Sequence, residues 1–150
     1  MASSVTAVHA FELLEVAVRI RALHYQPLAA ALDARSQTSP GVTVVEAVGA
    51  VDATAVNELA TVLRRALDQE PSAVVVDLSH TDFLGISAAE VLLDAITSAE
   101  RDGHPLALVP GNAAVTRTLD VTGVLARAEL RASVQDAVDA LRSTPRRRVP

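Results

Sequence analysis

The sequence predicts an α/β fold: a mixed, mostly parallel sheet of four to five strands packed with about four helices, preceded by an N-terminal extension. Two observations lead there. The runs VTVVEAV (42–48) and AVVVDL (73–78) are β-branched and apolar almost throughout, as strands buried on both faces are. Between and after them lie stretches whose apolar residues recur at helical spacing, so strands alternate with single helices. Such an order calls for right-handed crossovers and parallel neighbours.

Each element has its own signal. Residues 9–25 carry Phe11, Leu14, Val18, Ala22 and Tyr25 at helical spacing, although VAVRIR within them also alternates as a strand does. The helical pattern is the longer, and a helix is expected across an extension spanning 1–27. It is apolar on more than one side, which suits packing on the domain or on a second copy of the chain. Residues 28–35 read as a strand, SQTSPG (36–41) as a turn, and 42–48 as its antiparallel partner, ended by Gly49. Asp52 or Thr54 caps a helix running to about Gln69, with Val56, Leu59, Ala60, Leu63 and Leu67 on one face and Pro71 as its stop.

A strand over 73–78 and a short polar crossing follow. A helix then opens at Ser87 and runs to about Arg101, with Val91, Leu92, Ala95 and Ala99 inward. Asp102-Gly103 turns the chain into a strand over 105–109, and Pro110-Gly111-Asn112 leads to a helix over 113–121 that Gly123 ends. A short strand over 126–130 and a helix over 133–142 complete a domain spanning 28–142. The basic tail, 143–150, reads as disordered.

Composition narrows the function. A chain of 150 residues is one domain by length. It has no cysteine, which removes disulfides, thiol chemistry and Cys-based metal sites. The net charge of −5 argues against nonspecific nucleic-acid binding, and Phe11, Tyr25 and Phe83 are too few rings for a base-stacking platform. No apolar run is long enough to span a bilayer, and the N-terminus lacks the basic opening of a signal peptide. A cytoplasmic location without membrane insertion is expected. His9, His24, His80 and His104 form no i, i+4 pair, so no metal site is expected, and no phosphate-cradling glycine motif is present. No cofactor is expected.

Ser87 is the focus. Glu90 follows it by three, giving S-A-A-E the form of a capping box. The serine is either that structural cap or a hydroxyl displayed at the positive end of a helix. Asp52 suits a helix cap. Asp77 suits a loop-organising bond at the end of its strand, Phe83 suits the core, and Ile86 beside Ser87 suits an apolar contact if exposed.

Four segments in order, VTVVEAVGAVD with its Gly-x-x-Asp turn, VVVDLS, FLGIS, and LVPGNAAVTRTLDVTGV, resemble the STAS domain of bacterial anti-sigma factor antagonists. The resemblance covers about 28–142. It implies a STAS-like fold and a transcription-regulating partner switch. An anti-sigma factor with a histidine-kinase-like ATPase fold is bound, releasing a sigma factor. That partner phosphorylates a serine or threonine at the start of the helix after the third strand, and a serine phosphatase resets it. By position Ser87 matches the phosphoacceptor, with Asp52, Gly85, Ile86 and Ala88 beside it in the partner-binding surface. Where the family reads Asp-Ser-Ser-Gly or Asp-Ser-Thr-Gly, this chain reads Gly85-Ile86-Ser87-Ala88.

A phosphoserine adds about −1.5 to −2 charges. At a helix N-terminus free N–H groups receive it, whereas a dry interface must desolvate it. The residues admit two other readings. Gly85-Ile86-Ser87-Ala88-Ala89 approximates a nucleophile elbow, but only His104 follows the serine as a base, so no enzyme activity is expected. A STAS module without the switch, a constitutive antagonist or a transport-system subunit, is the alternative that the altered loop favours.

Overall fold

The computed structural model describes residues 18–25 and 41–143. Among these residues six strands form one sheet in the order β1-β2-β3-β5-β6, with β4 paired to β2 off that path. They are β1 (Val18–Tyr25), β2 (Val42–Val51), β3 (Ala73–Asp77), β4 (Thr81–Leu84), β5 (Leu106–Val109) and β6 (Glu129–Leu130). Among the described residues only the β1–β2 pair is antiparallel. The helices are α1 (Val56–Asp68), α2 (Ile86–Asp102), α3 (Ala113–Val121), the single turn α4 (Val124–Arg127) and α5 (Val134–Ser143). A 3-10 turn, Ala53–Ala55, leads into α1. The mixed, mostly parallel α/β architecture is the one expected.

The sheet divides two cores. On one face Val45, Ala47, Val51, Val74, Val76, Leu78 and Leu108 pack against Leu59 and Leu63 of α1, Leu92 and Ile96 of α2, and Leu119 of α3. On the other, Val44, Val75, Ala107 and Val109 pack against Ala137, Val138 and Leu141 of α5. Both faces of the central strands are therefore dry, which is why those strands read as unbroken apolar runs. Fully buried leucines such as Leu59, Leu63 and Leu92 each contribute about 1.5–3 kcal/mol.

Four differences from the sequence reading matter. First, residues 18–25 are a strand, not the second half of a helix. Every residue of β1 pairs with β2, from Val18 opposite Gly49 to Tyr25 opposite Val42. The alternation of VAVRIR wins because β2 offers a free edge, and Ile20 is buried beside it while Arg19 and Arg21 stay exposed. Residues 9–17, the strand expected over 28–35 and the tail beyond Ser143 lie outside the described residues.

Second, β2 does not stop at Gly49. Gly49 takes φ 98° at a bulge, and the strand continues to Val51. Third, the polar crossing after β3 contains a strand. β4 lies parallel to the far end of β2, Gly49 opposite Thr81, Ala50 opposite Phe83 and Val51 opposite Leu84, which leaves Asp82 as the unmatched residue of the bulge. Fourth, α4 takes Val124–Arg127, cutting the last strand to two residues.

The loop between β5 and α3 explains Gly111. A Cβ there would stand 2.3 Å from the Leu78 carbonyl oxygen and 3.3 Å from that of Thr81. Both are backbone atoms held in the sheet region, where Leu78 N–H donates to the Val109 carbonyl (2.9 Å) and Thr81 N–H to that of Leu78 (3.0 Å). Gly111→Ala is expected to lower stability by about 2 kcal/mol or more, read as a shifted midpoint in urea unfolding at unchanged slope.

Candidate functional site

Where β2 ends, β4 ends and α2 begins, three bonds fix the backbone. Thr81, 2% exposed, donates its hydroxyl to the Ala47 carbonyl (2.8 Å), pinning β4 to β2. The Gly85 N–H donates to the Val51 carbonyl (2.9 Å), and the Ala89 N–H donates to Gly85 as the first helical bond. Gly85 is thus the N-cap of α2, and it brings no side-chain cap.

This overturns the capping box. Ser87 is the second residue of the helix, not its cap, and its hydroxyl makes no hydrogen bond among the described residues. The turn is set by the Gly85–Val51 bond two residues upstream, so the capping role is already filled by backbone. Ser87 and Glu90 are both exposed. The N–H groups of Ile86, Ser87 and Ala88 are the unsatisfied donors that open any α-helix, at the positive end of its dipole.

Around this tip the predicted residues separate. Ile86 is 63% exposed and Phe83 51%, so Phe83 is an exposed anchor and not the core residue expected. The bulge is the reason: with Asp82 unmatched, Leu84 is the residue that enters the core beside Val51. Ala88 is 0% exposed, packed in the main core, and so is no part of the outer surface. Gly85 is half-buried. A Cβ on it would meet the Val51 carbonyl at 3.5 Å, Asp52 Cα at 3.8 Å and Phe83 Cε1 at 3.8 Å. Those distances bring Asp52, Phe83 and Gly85 into one place, and they leave ordinary room for a side chain at position 85.

Asp52 caps the 3-10 turn. Its Oδ1 accepts from the Thr54 hydroxyl (2.6 Å) and the Thr54 N–H (3.0 Å) while the residue stays exposed. The hydroxyl bond above all, and then the N–H bond, hold its carboxyl below the ordinary 3.8. Asp77 does organise its loop, accepting from the Ser79 N–H at 3.0 Å. Asn112 ties α3 to the same region, donating to the Asp82 carbonyl (3.1 Å) while its own Oδ1 accepts from Val115 N–H (2.9 Å).

His104 lies just beyond the far end of the 17-residue α2, about 25 Å from Ser87 along the axis, so the two form no nucleophile–base pair. Among the described residues no cluster of three His, Asp or Glu is placed to hold a metal, and no helix is long and apolar enough to cross a membrane. A groove of about 350 Å³ between α1 and α2, lined by Leu63, Arg64, Leu67, Ala95 and Arg101, does not include Ser87.

Fold and site together define a small α/β domain that displays a helix tip framed by exposed apolar side chains. Residues 33–137 match the family model described as the STAS domain, and the chain belongs to that family. No curated protein matches the sequence. Among solved structures, an anti-sigma factor antagonist from Mycobacterium paratuberculosis is similar with a TM-score of 0.65 at 24% identity, over 83% of this chain and 96% of that one. The anti-sigma factor antagonist SpoIIAA in its unphosphorylated form gives 0.62 at 16%, over 73% and 95%. The Slc26a9 anion transporter of the mouse gives 0.67 at 16%, over 92% of this chain and 25% of the transporter. At these identities the likeness is one of fold.

Asp52→Ala is expected to lower the melting temperature at neutral pH. Because the folded carboxyl titrates below its ordinary 3.8, its contribution is complete above that value and fades as pH falls through the folded one. Melting curves of the two proteins should therefore converge in acid, below the ordinary 3.8.

Proposed function

We propose that this STAS domain is an anti-sigma factor antagonist. In this reading it binds an anti-sigma factor with a histidine-kinase-like ATPase fold through the surface around Ser87, and phosphorylation of Ser87 by that partner ends the complex. The observation that carries the reading is the Ser87 hydroxyl, exposed and unbonded at the N-terminus of α2, next in the chain to exposed Ile86 and four residues after exposed Phe83. Apolar side chains at the centre of a contact supply binding energy when water is excluded. A hydroxyl at that centre costs little to cover, whereas a phosphate dianion must be desolvated there. The free protein tolerates the same phosphate, since the first N–H groups of α2 and its dipole favour an anion. The change acts on docking and leaves the fold alone. A serine phosphatase would restore the hydroxyl.

SpoIIAA, similar in fold, is described in an unphosphorylated form, which names phosphorylation as a state of that protein. A second reading has its own support. Gly85 places no carboxylate or hydroxyl beside Ser87, and Ala88 is buried, so among the described residues no side chain is bonded to the acceptor. A module that binds without being switched fits that arrangement.

Affinity capture with wild type, Ser87→Ala and Ser87→Glu separates the two. The switch requires that the Ala variant retain a kinase-like anti-sigma partner and that the Glu variant lose it; equal capture by all three leaves only the unswitched module. Phe83→Ala and Ile86→Ala are each expected to weaken that capture about tenfold or more, measured by calorimetric titration, with melting temperatures close to wild type.

A further inference from the structure

The segments that meet at the tip of α2 carry charge of one sign. From Ala50 to Leu63 the chain holds Asp52 and Glu58, and from Thr81 to Ala99 it holds Asp82, Glu90 and Asp94, with no arginine, lysine or histidine in either stretch. The arginines of the two helices that start there, Arg64 and Arg65 on α1 and Arg101 on α2, come only in their later turns. Asp52, Asp82 and Glu90 are exposed, and none of them is in an ion pair among the described residues.

These three acids stand next to the exposed apolar pair. Asp82 precedes Phe83 in β4. Glu90 follows Ile86 by four residues and Ser87 by three, so it shares their face of α2 one turn further on. The Asp52 Cα and Phe83 Cε1 both lie 3.8 Å from where a Cβ on Gly85 would stand. The tip therefore offers two large hydrophobic side chains, 51% and 63% exposed, beside carboxylates that no cation of the domain neutralises among the described residues. A second copy docking face to face would set acid against acid, and an anionic membrane or nucleic acid is repelled in the same way. A basic protein surface is the occupant whose charge is complementary.

We propose that the partner docks on this tip through an apolar centre rimmed by arginine or lysine, with Phe83 and Ile86 filling the centre and Asp52, Asp82 and Glu90 meeting the basic rim. The inference rests on the reading of the Ser87 surface as a docking face and adds the chemistry of what docks there. Rim charges act chiefly on the rate of approach and on its salt dependence, whereas groups at the centre act on release. A phosphate on Ser87 belongs to the centre, where its desolvation outweighs attraction from the rim.

The probe is a short synthetic peptide alternating arginine with leucine, and its counterpart with glutamate in place of arginine, each titrated into the full chain labelled with nitrogen-15. The arginine peptide should shift the amide signals of Phe83, Ile86, Ser87 and Glu90, and the glutamate peptide should leave them in place. Asp136 and Asp139 of α5, exposed acids on a helix without an exposed large apolar residue, are the internal control for charge alone. Neutralising the rim with Asp82→Asn and Glu90→Gln together should raise the dissociation constant of the arginine peptide about threefold or more at low salt, and the difference should vanish near about 0.5 M salt. Ile86→Ala should weaken binding at both salt concentrations. Equal binding of the two peptides, or binding of neither, overturns the proposal. So do shifts at Asp136 and Asp139 as large as those at the tip, or a dissociation constant that the double variant leaves unchanged. The switch is read separately, by capture with Ser87→Glu, so the charge of the partner and the phosphorylation of Ser87 can each fail alone.

Discussion

The pairing of β4 with the far end of β2 is the constraint on which the site depends. It rests on the buried Thr81 hydroxyl on the Ala47 carbonyl and on the Gly85 N–H bonded to that of Val51. A buried hydroxyl without its acceptor costs about 1–3 kcal/mol, so the strand has little freedom to leave. Once β4 is held there, its last residue fixes where α2 begins. The bulge at Gly49 then decides which side chains of β4 enter the core, Thr81 and Leu84, and which face outward, Asp82 and Phe83.

The result is an abrupt boundary within α2. Ile86 and Ser87 are exposed, while Ala88 and Ala89, the next two residues, are completely buried. Two alanines against the sheet let the helix start close to it and hold the tip in one orientation. The surface above carries exposed Ile86 and Ser87, and the layer beneath is closed by Ala88 and Ala89 in the core. Charge added at Ser87 therefore meets water and helix N–H groups in the free protein, and meets a desolvation cost only when a second surface closes over it. The absence of a side chain at Gly85 widens the opening between Phe83 and Asp52, which distinguishes this tip from one bearing a carboxylate at the same place.

Much of the frame was readable from residue order. β2 and β3 announced themselves through β-branched runs, α1 and α2 through helical spacing, and the ends of elements through Pro71, Gly103 and Asn112. Gly103 takes φ 75° at the C-cap of α2, and the Asn112 side chain accepts from Val115 N–H at the start of α3, as their residue types suggest. β4 was hidden because TDFL is only four residues long and does not alternate. Phe83 faces outward for a related reason, since the register that leaves Asp82 unmatched is set by pairing with β2 and not by TDFL alone. The segment 18–25 satisfied two periodicities at once, and the free edge of β2 selected the strand.

By itself, the sequence determined the local preferences: which stretches extend, which coil, where they stop, and that a serine stands near the start of a helix. Those are decided by neighbours within a few residues, through backbone sterics and side-chain periodicity. Only the tertiary structure decided that Gly85 and not Ser87 caps α2, that Ala88 is sealed while Phe83 is open, and that residues 18–25 pair with β2. Each of these depends on a bond or a register between residues at least 27 positions apart, Gly85 with Val51, Phe83 with Ala50, Ile20 with Ala47, and no local pattern encodes which distant partner a backbone group will find.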